Sequence, residues 1–137
     1  NKINLSRVIL GGIAGGIVML LIGAVIHGMI LEPYYVDMQQ KGIMLPEPRM
    51  GGLIHHLIIV LSGIVLAYLY AVSRKHSGPG PKTALLIGFL VGCMGIGSAV
   101  AIWTFDNMGV RIPVFIGFDH LLGCMAATFV AGWLYKD

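Results

Sequence analysis

Charge is scarce in this chain. Only 11% of its 137 residues are Asp, Glu, Lys or Arg, where a soluble domain carries about 25%. So few charges cannot keep a folded surface wet, and 57% hydrophobic residues with a mean hydropathy of +0.87 agree. Cysteine is scarce as well. Cys93 and Cys124 lie in apolar stretches without CxxC or zinc spacing, which excludes a disulfide framework and leaves two small hydrophobes. There is no Walker A, GxGxxG or HExxH pattern. Ser62, Ser98, Thr104 and Thr128 are scattered, with no base paired to them as a nucleophile requires, so no enzymatic activity is read here. The net charge of +3 is too small for a phosphate-tracking patch, which removes nucleic acid as a partner. Internal repeats and low-complexity segments are also missing.

What is present is four long apolar stretches, residues 8–31, 50–73, 83–105 and 112–135. Each is long enough to cross a hydrocarbon core of about 30 Å as a helix. Only a helix or a closed barrel satisfies its backbone there, and none of the four alternates as a barrel strand would. The breaks carry turn chemistry: Glu32-Pro33, then Pro46, Pro48 and Gly51-Gly52, then Ser77-Gly78-Pro79-Gly80-Pro81. Pro113 falls in a first helical turn, where a missing N–H costs nothing. The expected fold is all-α: one integral membrane domain over 1–137, a four-helix transmembrane bundle with antiparallel neighbours. Lys2 and Arg7 before an apolar run resemble a signal peptide, but the run is too long and no small-x-small cleavage site follows. The segment reads as a retained helix.

Basic residues set the expected orientation. Lys2, Arg7, Arg74, Lys75, Lys82 and Lys136 fall on one side, and Lys41, Arg49 and Arg111 on the other. Six against three places both termini in the cytoplasm and the longest connection, 32–49, outside. The basic loop of Arg74, Lys75, His76 and Lys82 reads as topology and lipid-headgroup contact.

Stripes of small residues mark the bundle interior, because they let backbones approach where lipid supplies no hydrophobic drive. They are Gly12, Gly16 and Gly23 in the first span, Gly52, Gly63, Ala67 and Ala71 in the second, Ala84, Gly88, Gly92, Gly95 and Ala99 in the third, and Gly123, Ala126, Ala127 and Ala131 in the fourth. The opposite face of the fourth span, Phe118, Leu121, Leu122, Met125, Phe129 and Trp133, suits lipid or a partner protein.

Ionisable residues share these stripes. At about 100° per residue, His27 follows Gly16 and Gly23, His56 follows Gly52 and Gly63, and Asp106 continues the Gly88–Ala99 line. Asp119 and His120 flank the small face of the fourth span, whereas His55 points aside. All five of the first group are expected to point inward in the outer half, with the three histidines roughly 6–12 Å below the helix ends. Charged groups inside a membrane are costly and are a site hypothesis by default. Several chemistries fit. His27, His56 and His120 could hold a cofactor, two of them ligating haem iron axially. The same histidines with Asp119 and Asp106 could hold a transition metal. Met29, Met38, Met44, Met50 and Met108 on the same side would suit Cu(I). A His–Asp pair could also relay protons or bind a quinone head group. The plainer alternative is a polar network tying helices together, with Asp119 paired to Arg111 or a histidine.

Lys2-Ile3-Asn4, Gly23-Ala24, Pro33-Tyr34-Tyr35 and Gly132-Trp133 together resemble an uncharacterised family of small bacterial four-helix membrane proteins, a domain of unknown function. The resemblance implies the fold and a place in the bacterial cytoplasmic (inner) membrane, and transfers no functional residue. The histidine set is a departure from that family. Three functions are compatible with the whole pattern. One is an accessory subunit of a larger membrane complex, bound to other subunits or self-associated. The second is a haem- or metal-binding redox protein, and the third is a small-solute or ion transporter.

Overall fold

A computed structural model of the chain describes residues 2–46 and 50–136. Pro48, expected at the opening of the second span, and Arg49, counted among the outer basic residues, lie outside the described residues. Every regular element described is helical: α1 (Leu5–Val25), a π-helical turn (Ile26–Ile30), α2 (Glu32–Gln40), α3 (Met50–Ser77), α4 (Pro81–Phe105) and α5 (Arg111–Leu134). Four of these segments, counting α1 with its π turn as one, are long and apolar enough to cross a membrane.

The boundaries have local causes. The Asn4 side chain accepts a hydrogen bond from the Arg7 N–H at 3.2 Å, satisfying one of the first-turn donors of α1. α3 runs four residues beyond the expected 73, because Arg74, Lys75 and His76 complement the negative end of its dipole. Gly78 and Gly80, at φ 83° and 122°, make the reversal into α4, and such backbone favours glycine. The 32–49 connection is not simply a loop. Glu32 and Pro33 start a short helix there, an acidic residue and a proline in the first turn both favouring initiation.

α1 lies between α3 and α5, and α5 between α1 and α4, while α3 and α4 touch little despite being consecutive. The run Gly11-Gly12-Ile13-Ala14-Gly15-Gly16 explains the central place of α1. A Cβ on Gly12 would stand 2.3 Å from Ile64 Cα, and one on Gly16 would stand 2.7 Å from Val60 Cα. On the adjoining face, a Cβ on Gly15 would stand 2.7 Å from the Ala127 carbonyl oxygen, and Gly11 abuts Ala131. Two glycine stripes about 100° apart thus let α1 press its backbone against two helices. Along both contacts the partner's numbers fall as those of α1 rise. α4 meets α5 the same way, with Gly88 against Met125 and Gly92 against Leu121.

This corrects one expectation. Phe118, Leu122, Phe129 and Trp133 are exposed, but Leu121 and Met125 are not part of an unpartnered face. The Leu121 side chain packs on Gly92 and the Met125 backbone abuts Gly88.

The two ends of the bundle differ. At the end carrying the termini, Val8, Ala67, Tyr70, Ala71, Ala84, Ala131 and Tyr135 form a closed core. The Asn4 N–H donates to the Tyr135 hydroxyl at 3.0 Å and the Gly80 N–H donates to the Tyr70 hydroxyl at 3.1 Å. The Arg74 guanidinium lies 4.8 Å from the Tyr135 ring centre, a cation–π contact. At the far end, Ile26, Leu31 and Ile112 are buried beneath Tyr34, Tyr35 and Met38 of α2. Arg111 donates to the Tyr34 hydroxyl and covers its ring. Here α3 and α4 leave a gap.

Candidate functional site

That gap is a cleft of about 1000 Å³ lined by all four long helices, the π turn and α2. Its far end is polar, with His27, Tyr35, His55, His56, Asp119 and His120. Towards the termini its wall becomes aliphatic, with Val65, Leu66, Leu69 and Val91.

His27 organises the polar end. Its Nε2 is 2.9 Å from Asp119 Oδ2 and its Nδ1 is 2.6 Å from the Tyr35 hydroxyl. The rings of His27 and Tyr35 stack with centroids 5.9 Å apart. The π turn makes this possible. The Leu31 N–H donates to the Ile26 carbonyl at 2.9 Å, the wider i+5 closure, so one extra residue enters the turn that carries His27. α2 then folds back and brings Tyr35 over the imidazole. The bare Cα of Gly23 leaves room beside the carboxylate: a Cβ there would lie 3.9 Å from Asp119 Oδ1.

Burial first, and the negative Asp119 second, push the Tyr35 hydroxyl up to about 12. Tyr35 is therefore a neutral phenol, able to donate to His27 Nδ1 or accept from it. The Asp119 carboxylate only accepts, so the His27 Nε2–H donates to it. The arrangement is a carboxylate, an imidazole and a phenol in line. A spectroscopic titration at alkaline pH is expected to show a tyrosine ionising near 12, with Tyr35→Phe deleting that step. A raised phenol favours the fold fully below the ordinary value of 10.0, and the gain is lost as pH climbs through about 12.

The other expected site residues are placed differently. The His56 Nδ1–H donates to the Gly52 carbonyl at 2.6 Å within α3, leaving Nε2 as the outward acceptor. His55 meets His56 edge-to-face at 5.8 Å and does line the cleft. The His120 ring lies on bare Gly95, where a Cβ would stand 2.5 Å from its Cγ. His56 and His120 are exposed on the cleft wall, and Asp106 is exposed where α4 ends, outside the cleft. Among the described residues, no three His, Cys, Asp or Glu are placed to hold a metal ion. The set His27, His56, His120, Asp119 and Asp106 is thus not gathered as ligands, and only His27 and Asp119 meet. Both ring nitrogens of His27 are already engaged, whereas His56 keeps Nε2 open. Four of the five, all but Asp106, nonetheless line the same cleft.

Tyr35 is the member of this polar group that the sequence did not single out. Its signal was faint: an aromatic residue eight positions after His27, beyond a proline. No family model, no curated protein and no solved structure matches this chain.

Proposed function

We propose that this chain is a small integral membrane protein that binds an amphiphilic small molecule drawn from the bilayer into the cleft between α3 and α4. The molecule's head sits at His27, Tyr35 and Asp119, and its chain lies along the aliphatic wall. The four long helices cross antiparallel with both termini in the cytoplasm, which places the polar end of the cleft in the outer half of the membrane. The falling registers of the glycine contacts support the antiparallel crossing, and the six-to-three split of basic residues supports the orientation. One observation carries the binding role: a single cleft joins a polar end to aliphatic walls, with a volume in the range of ligand pockets.

Photoreactive amphiphiles in vesicles test this. They are expected to label residues along the cleft, and Ser62→Trp, which places an indole in it, is expected to reduce that labelling about tenfold, the equivalent of ~1.4 kcal/mol. Uniform labelling of outward residues such as Met94 and Leu86, unaffected by Ser62→Trp, would remove the proposal.

A second role, as a subunit of a larger membrane complex, is supported by an apolar groove of about 380 Å³ between α4 and α5 that includes Trp103, Val114 and Phe118. Purification in mild detergent as a lone monomer would count against it.

A further inference from the structure

Building on the cleft as a ligand site, we infer that its occupant is a long-chain amphiphile with a cationic head, a protonated amine or a quaternary ammonium, held by Asp119. Charge is the first reason. Asp119 is the one formally charged side chain among the described residues lining the cleft, and no Lys or Arg lines it. The carboxylate is also half used. Oδ2 accepts from His27, while Oδ1 accepts no hydrogen bond from any described residue and faces the bare Cα of Gly23.

The neighbours suit a cation too. His56 offers Nε2 as an acceptor, its Nδ1 being committed to Gly52. The stacked His27 and Tyr35 rings add π faces that attract positive charge. A carboxylate partly removed from water attracts a cation strongly and repels an anion equally, so a phosphate or carboxylate head is disfavoured here. A hydroxyl head would gain only a hydrogen bond, about half as strong as a charge-assisted one. The chain has somewhere to go: the lining from Ile58 to Leu69 on α3 runs roughly 16 Å at 1.5 Å per residue.

Three probes test this on the full chain in phosphatidylcholine vesicles. All share one sixteen-carbon-class tail with a photoreactive diazirine, and they differ only in head: primary amine, alcohol or carboxylic acid. The amine is expected to label the cleft walls of α3 and Val91 about tenfold more than either other probe. Asp119→Asn should bring amine labelling down to the level of the alcohol, and Asp119→Glu should keep it. Gly23→Leu, which covers Oδ1 without removing charge, should also lower it. The comparison of heads needs no variant, so it stands if a variant fails to fold. If the alcohol or the acid labels the cleft as strongly as the amine, the cationic head is wrong and the cleft survives as a site. If no probe labels the cleft above the exposed Met94 face of α4, the site itself falls as well.

Discussion

Gly63→Ala is expected to destabilise the folded protein by about 3 kcal/mol or more, far beyond the usual effect of a single methyl. The Cβ would stand 2.3 Å from the Gly12 carbonyl oxygen, 2.5 Å from the Gly16 nitrogen and 2.7 Å from the Gly16 Cα. All three are backbone atoms of α1, so no side chain can rotate away. α1 would have to withdraw from α3. Gly97→Ala is the matched control. Nothing lies within 4 Å of that position, and alanine in a helix interior is favoured over glycine by roughly 0.5–1 kcal/mol. Reversible unfolding in detergent micelles compares the two. Equal stabilities for Gly63→Ala and Gly97→Ala would mean that α1 and α3 do not meet at this register.

The second large effect is expected at the polar end. His27→Ala removes the donor to Asp119 and the hydrogen-bond partner of Tyr35 at one stroke, at a cost of about 1–3 kcal/mol. Asp119→Asn should cost less, because an amide oxygen still accepts from Nε2. The His27 side chain is 36% exposed and that of Asp119 22%, so water screens the pair and its coupling should stay near ~1 kcal/mol. A double-mutant cycle reads that coupling directly. Additive losses would show that the two residues do not interact in the folded protein. His27→Gln should recover part of the loss, since glutamine can donate and accept.

The membrane-crossing architecture was legible because it depends on composition and length. Scarce charge and four apolar stretches place the long helices to within a few residues, and turn residues such as Gly78 and Gly80 mark a break. The small-residue stripes were legible only in part. Gly12, Gly16 and Gly63 stood out, but Gly11 and Gly15 did not, because α1 serves two neighbours and a single stripe assumes one. At the site, helical phase pointed to His27 and Asp119, which meet, and to His56 and His120, which line the same cleft without meeting them. Spacing within a helix carries no information on the distance between facing side chains. The π turn and Tyr35 were hidden for a related reason. A wider turn shifts every later side chain, yet no residue type between 26 and 30 announces it.

The claim that the rest depends on is that one imidazole joins α1, α2 and α5 at the mouth of the cleft. Nitrogen-15 NMR of the histidine rings in lipid bilayers tests it most directly. The expected result is a His27 Nε2–H hydrogen-bonded to a carboxylate, with Nδ1 close to the Tyr35 hydroxyl. A His27 ring with neither contact would contradict it.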